Sequence, residues 1–172
     1  MLKNDASLAF CLERIGKSSA GWDTMVVRGS AETARPAEDL WAVWANLEGW
    51  PAWSPLHRAV TRQQAGELVA GATFRQELDL GFPAGTTSET VTFSVLEPSR
   101  RAAWEGNANG IRNCHLWTFT PRPDGGTHVD NTEVFAGLPA ALLRPVVARR
   151  WNRAFQGAVD GLIRRTANGA SR

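Results

Sequence analysis

The chain has 172 residues, of which 43% are hydrophobic and 21% charged, and its formal net charge is +2. This length suits one domain with a single core, and the composition is globular rather than disordered. Positive charge is concentrated only in the arginines between residues 144 and 165. Because a nucleic-acid-binding protein would be expected to carry a stronger basic stripe, we expect no nucleic-acid partner.

The cysteines and histidines exclude several kinds of site. Cys11 and Cys114 lack metal-ligand spacing and do not indicate a disulfide framework, so a reduced, cytoplasmic location is the default expectation. The three histidines lie in separate contexts, and no phosphate-binding glycine pattern is present, so we expect neither a metal nor a cofactor. No apolar run approaches the roughly 20 residues that cross a bilayer, so no membrane span is predicted.

Residues 1–23 are interpreted as an N-terminal extension. Four of its apolar residues have the spacing of one face of a short helix, which Asp5 or Ser7 would cap: Leu8, Cys11, Leu12 and Ile15. The favoured interpretation is a loosely held segment, with a docked helix or a dimer contact as the alternatives. Residues 24–168 form the predicted domain, and residues 169–172 are a tail.

The domain starts with a β-prone segment, Met25–Thr33. Pro36 suits the first turn of a helix, which is predicted over Ala37–Asn46. A second short helix or turn is predicted over Trp50–Trp53. Six further strand-like segments follow, separated by turn residues: Leu56–Gln64, Ala72–Leu80, Thr86–Leu96, Arg101–Asn107, Asn113–Pro121 and Thr127–Phe135. This spacing is typical of an antiparallel meander.

The chain ends in a long amphipathic helix, whose main part is predicted to begin at Pro145. Its arginine-rich face is interpreted as solvated. Elements in this order predict an α+β fold in which a curved antiparallel sheet of about seven strands wraps around the C-terminal helix. Two short helices follow the first strand and close one end of the curved sheet.

Half of the eight tryptophans lie in one short run, LWAVWANLEGWPAWSPL at residues 40–56. Each buried indole removes about 150–250 Å² from water, so the run must face a large apolar surface or a cavity that something else fills. In the predicted fold these indoles fill or floor the hollow between the sheet and the long helix.

Four groups of motifs resemble the SRPBCC superfamily, the START and polyketide cyclase/dehydrase-like helix-grip proteins. They are PAEDLW at 36–41, WPAWSP at 50–55, VLEPSRRAAW at 95–104, and HLWTFTP from residue 115 followed by DGGTHV and TEVFAG. The resemblance covers about residues 25–167. It implies a helix-grip fold with a deep apolar cavity for lipids, polyketides or other hydrophobic molecules. It leaves carriers, cyclases and dehydratases all open.

Two inward-facing polar residues are candidates for chemistry. Alternation along 113–119 places His115 on the same face as Trp117, toward the core. Glu133 faces inward from the neighbouring strand, within predicted reach of His115. A buried imidazole beside a carboxylate can transfer protons, which makes both residues candidate catalytic groups. The favoured alternative is a hydrogen-bonded pair that orders the cavity wall.

The complete set of predicted cavity residues is chosen by inward position. It comprises Trp41, Trp44, Trp53, Phe74, Gln76, Leu78, Trp104, His115, Trp117, Asn131, Glu133, Phe155 and Val159. His57 is predicted to lie at the rim or surface, and His128 on the face opposite Glu133.

Three functions follow as hypotheses. The first is binding of a small hydrophobic ligand between the sheet and the C-terminal helix. The alternative is a polyketide cyclase/dehydratase-like enzyme in which His115 is the general acid or base and Glu133 orients it. The third is a protein-interaction module that uses residues 1–23 or the arginine face, for which a homodimer is one form.

Overall fold

A computed structural model describes residues 5–169 of the chain. The elements in chain order are α1 (Ala6–Arg14), β1 (Thr24–Thr33), α2 (Ala37–Trp44), a 3-10 helix (Leu47–Ala52), β2 (His57–Arg62), β3 (Thr73–Gly81), β4 (Gly85–Thr92), β5 (Val95–Glu97), β6 (Arg101–Ala108), β7 (Ile111–Pro121), β8 (Thr127–Ala136) and α3 (Leu138–Gly169). The predicted helix-grip architecture is confirmed: antiparallel strands curve around a long C-terminal helix, with two short helices after the first strand.

The strands form a five-stranded sheet in the order β1-β8-β7-β6-β5 and a three-stranded sheet in the order β2-β3-β4. The chain changes sheets after β4. The Phe93 amide donates to the Ala72 carbonyl at 3.0 Å, whereas the next amide, of Ser94, donates to the Ala103 carbonyl at 2.9 Å. The single strand predicted over Thr86–Leu96 is therefore two strands, which gives eight strands instead of seven.

Helix α3 begins at Leu138, earlier than the predicted start at Pro145. Proline costs one backbone hydrogen bond inside a helix, but burial of Ala140 and Val147 on the inner face holds the preceding turns in place. Further along α3, Gly161 lies directly against the backbone of Trp53. Gly29 of β1 also lies against α3, so close to the backbone of Phe155 that a side chain with a Cβ would not fit at this position.

Helix α1 is docked on the outer face of the five-stranded sheet, so the favoured interpretation of a loosely held extension is wrong. Its buried residues Cys11, Leu12 and Ile15 pack against the outward side chains of β7 and β8, including Leu116 and Val134. Asp5 caps the helix, since its Oδ1 accepts a hydrogen bond from the Leu8 amide at 3.1 Å.

A disulfide joins Cys11 to Cys114 of β7, with 5.2 Å between the two Cα atoms. The interpretation that these two cysteines do not indicate a disulfide framework therefore missed this bond. Their sequence separation of 103 residues gives no local sign of pairing, and only the docking of α1 on β7 brings them together. In the described part of the chain, no helix is both long and apolar enough to cross a membrane.

Candidate ligand cavity

A cavity of about 310 Å³ lies between the two sheets and the inner face of α3. Large apolar side chains form most of its wall: Met25, Leu78, Leu80, Trp104, Phe135, Leu143, Trp151 and Phe155. The polar lining includes His57, Gln76, Glu89, Asn113, His115 and Glu133. The exposed lining residues are Ala84 and Asn109 on the β3–β4 and β6–β7 turns, Ala108 at the end of β6, and Glu89 of β4. The opening is therefore between these two turns and the start of α3.

His115 and Glu133 are directly opposite each other in the β7–β8 register. His115 Nδ1 lies 3.3 Å from Glu133 Oε2, and both side chains are almost fully buried. The pair is held from both sides: Asn113 donates to Glu133 Oε1 at 2.7 Å, and His115 Nε2 lies 2.6 Å from Asn131 Oδ1. The geometry is that of a four-residue hydrogen-bonded network along the cavity wall, which we call the β7–β8 network.

Burial sets the protonation of this network. Loss of hydration raises the pKa of Glu133 to about 8 and lowers the pKa of His115 to about 3, so both groups are uncharged at neutral pH. The Asn131 Oδ1 atom can only accept, so Nε2 of His115 carries the imidazole proton. Nδ1 is then an acceptor for the carboxyl proton of Glu133. The hydrogen bonds and the pKa directions therefore describe the same neutral state.

A second network faces the same cavity from the other sheet. The Ser54 hydroxyl lies 2.7 Å from His57 Nδ1, and His57 Nε2 lies 3.2 Å from Gln76 Oε1. The Gln76 amide in turn donates to Glu89 Oε1 at 2.6 Å. His57 is half-buried overall, but loss of hydration at its enclosed ring lowers its pKa to about 4. The prediction that His57 is a rim or surface residue is wrong, because the ring lines the cavity.

The tryptophan run is part of a solid aromatic core beside the cavity. Trp44 and Trp50 are fully buried and have ring centroids 5.2 Å apart. Trp44 also contacts Trp41, with ring centroids 4.9 Å apart, and Phe93, at 5.9 Å. These contacts fill the space beneath α2 and the 3-10 helix with rings. The indoles of residues 40–56 therefore pack against one another and against the sheets, and they do not line the cavity.

The structure separates the predicted cavity residues into two groups. Six line the cavity: Gln76, Leu78, Trp104, His115, Glu133 and Phe155. Six others pack in the aromatic core and do not line it: Trp41, Trp44, Trp53, Phe74, Trp117 and Val159. Asn131 is also outside the lining and lies behind His115, where it holds the ring.

Sequence reasoning missed several cavity residues. Leu80 and Trp151 lie on inward faces that the alternation of β3 and the periodicity of α3 do predict. Glu89 and Asn109 gave no such signal, because β4 is mostly exposed and Asn109 lies in a turn. Their positions depend on how the hairpins bend over the opening, which local pattern does not determine.

The sequence from residue 24 to residue 167 matches the profile of the family described as polyketide cyclase / dehydrase and lipid transport. The chain belongs to this family, as the motif resemblance to the SRPBCC superfamily predicted. Among curated proteins, none matches the sequence.

Solved structures share the fold along nearly the whole domain. A protein from Deinococcus radiodurans is 25% identical, with a TM-score of 0.57 over 84% of this chain and 97% of that chain. The Zhui aromatase/cyclase from a Streptomyces species is 19% identical, with a TM-score of 0.67 over 86% and 98%. The di-domain ARO/CYC StfQ from the steffimycin biosynthetic pathway is 13% identical, with a TM-score of 0.69 over 88% and 53%. At the lower identities the likeness establishes the fold alone.

Proposed function

We propose that the chain binds a small, largely apolar molecule in the cavity between the two sheets and α3. The observation that carries this proposal is a partly open cavity of about 310 Å³ with mostly apolar walls and a few convergent polar groups. Small-molecule sites have this construction and begin at roughly this size, about 300 Å³. The family description, which includes lipid transport, is consistent with it.

The networks favour an uncharged ligand. His115 and Glu133 are neutral at neutral pH and satisfy each other's hydrogen bonds, so the β7–β8 side of the wall offers no free charge to a charged group. Glu89 of the other network lies at the exposed side of the cavity, where it accepts a hydrogen bond from Gln76. The Trp104 ring lies 4.3 Å from the His115 ring, centroid to centroid, which adds flat π surface to the same wall. A planar, neutral molecule fits these properties best.

The test is binding of a neutral fluorescent probe, 1-aminoanthracene, to the purified chain, with native mass spectrometry for any co-purified molecule. Leu78→Trp fills the cavity and should weaken probe binding by about tenfold or more. Val69→Trp is the matched control, since Val69 is exposed and outside the cavity, and it should bind like the unmodified chain. Equal binding by both variants would show that the probe does not use this cavity.

A cyclase or dehydratase activity is the second candidate, and the β7–β8 network is the specific observation that favours it. A protonated carboxyl beside a neutral imidazole can supply one proton and accept another, which aldol cyclisation and loss of water both require. In this alternative His115 is the general acid or base, and Glu133 orients it and holds the exchangeable proton.

This alternative is tested by turnover of a poly-β-ketone substrate. His115→Ala should reduce turnover by about a hundredfold or more, while His128→Ala on the outer face of β8 should not. If His115→Ala bound 1-aminoanthracene normally and kept full turnover, the catalytic role would be wrong and the binding role would remain.

A further inference from the structure

The exposed apolar side chains of residues 5–169 are concentrated near one end of the molecule. Six large apolar residues of this range are exposed: Trp22, Val69, Phe82, Leu138, Leu142 and Val146. All except Val69 lie next to the start of α3 or the cavity opening. Phe82, Trp22 and Leu142 are the most exposed of these five, at 82%, 74% and 69%. Scattered single apolar residues are ordinary on a protein surface, but this grouping is not.

Three of these residues form a stripe on α3, and a fourth lies on the adjacent turn. Leu138, Leu142 and Val146 are spaced four residues apart, so they share the outer face of the helix. Phe82 projects from the β3–β4 turn, between cavity-lining Leu80 and Ala84. We call Phe82, Leu138, Leu142 and Val146 the apolar rim. The cavity opening and the apolar rim therefore belong to the same end of the molecule.

The rim is accompanied by positive charge. Between residues 138 and 159 the chain has four arginines, Arg144, Arg149, Arg150 and Arg153, and neither aspartate nor glutamate. Among residues 5–169, none of these four forms an ion pair. The Arg150 side chain crosses Gly81, next to Phe82, which brings charge to the rim itself.

We propose that the apolar rim and these arginines dock on the surface of an anionic lipid bilayer. Exposed apolar side chains bordered by arginines match a bilayer interface, because the apolar groups enter the acyl boundary and the guanidinium groups meet lipid phosphates. A second copy of the chain is a poorer occupant, since a two-fold contact through this face would oppose the same arginines. Docking turns the cavity opening toward the lipid, but it does not require that the cavity bind anything.

The experiment is vesicle co-flotation of the full chain without added ligand. We expect binding to phosphatidylcholine vesicles that contain about 30% phosphatidylserine, weaker binding to pure phosphatidylcholine, and release by salt. Arg149→Glu with Arg153→Glu should weaken binding by about tenfold or more, because each arginine near an anionic surface contributes about fivefold. Arg164→Glu with Arg165→Glu makes the same charge change near the other end of α3 and should retain binding.

The apolar contribution is tested separately with Leu142→Ser and Val146→Ser. Both side chains are exposed, so thermal denaturation should match the unmodified chain while vesicle binding falls by about tenfold or more. Absence of vesicle binding, or equal losses in the two arginine pairs, would overturn the proposal. Retained vesicle binding by the serine variant would do the same. Concentration-dependent dimerisation that the serine variant abolishes, without vesicle binding, would assign the rim to a second copy. Each of these results leaves 1-aminoanthracene binding to the cavity as an independent measurement.

Discussion

The space between the sheets and α3 is filled at one end and hollow at the other. At the filled end, rings from α2, the 3-10 helix and the sheets pack around Trp44, which has no exposed surface. At the hollow end, the same sheets and the same helix surround about 310 Å³ and two hydrogen-bonded networks. The tryptophan run therefore stabilises the scaffold, whereas residues from separate strands and from α3 surround the cavity.

The largest effect is expected at the filled end. Trp44→Ala removes a ring that contacts Trp41, Trp50, Phe93 and Phe119, and should lower the free energy of unfolding by about 3–5 kcal/mol. Urea denaturation measures this change. Trp22→Ala, which truncates an exposed indole, should stay within about 0.5 kcal/mol of the unmodified chain. Similar losses in the two variants would contradict a tightly packed aromatic end.

The next largest effect on stability is expected at the disulfide that lies behind the cavity wall. Cys114 points outward from β7, next to inward-facing His115, and its disulfide fixes α1 behind the cavity wall. Reduction should lower the free energy of unfolding by about 2–4 kcal/mol, because it releases a closed loop of more than a hundred residues. Urea denaturation with and without reductant measures the difference. The variant with Cys11→Ser and Cys114→Ser should have the same free energy of unfolding as the reduced chain, and reductant should not change it.

The buried titratable groups at the hollow end should also make the free energy of unfolding depend on pH. The pKa of Glu133 is about 8 in the folded chain against 4.5 ordinarily, so the folded state keeps a proton that the unfolded state has lost. Stability from this group is therefore complete below pH 4.5 and is lost as pH rises toward 8. The lowered pKa values of His57 and His115 act oppositely: their contribution to stability is complete well above pH 6.5 and is lost on acidification from about pH 7.5 down to the folded-state pKa values.

Between pH 6.5 and 8, Glu133 alone would lower the free energy of unfolding by about 2 kcal/mol. The two histidines offset about 1 kcal/mol of this fall, because the unfolded chain still loses histidine protons above pH 6.5. Glu133→Gln should flatten the fall in unfolding free energy across this interval. Glu67→Gln, at an exposed carboxylate, should leave the slope unchanged. Parallel curves for the unmodified chain and Glu133→Gln, measured by urea denaturation at several pH values, would contradict a buried neutral carboxyl.

The smallest effect is expected at the apolar wall of the hollow. Leu78 faces the cavity, so Leu78→Ala removes few close contacts and should cost about 1 kcal/mol of unfolding free energy. Leu40→Ala is the matched truncation in the filled end, where the leucine is fully buried, and should cost about 2–5 kcal/mol. Equal costs in urea denaturation would remove the distinction between the two ends.

The sequence predicted the arrangement of strands and helices better than it predicted which side chains line the cavity. Alternation placed His115 and Glu133 on facing inward positions, because a two-residue period and a short hairpin leave little freedom in an antiparallel pair. The sequence pattern of α2 could not show whether Trp44 packs in a solid core or lines a cavity, because both positions need an apolar side chain that faces inward. The ring contacts that decide the matter depend on side-chain rotamers and on the tilt of α2.

Long-range features were the least accessible to sequence reasoning. Cys11 and Cys114 meet only because α1 folds back onto β7, and nothing near either cysteine encodes that return. The break between β4 and β5 likewise reflects a change of hydrogen-bonding partner at Phe93 and Ser94. The residues there remain β-prone, so local propensity continues through the break.

The two glycine contacts of α3 limit which walls can adapt to a guest molecule. Gly29 brings β1 against the backbone of Phe155, and Gly161 brings α3 against the backbone of Trp53, so the helix is pinned to two separate parts of the scaffold. Shape plasticity must then come from the β3–β4 and β6–β7 turns at the opening. Insertions or substitutions in those turns can retune selectivity during evolution while the pinned helix preserves the architecture.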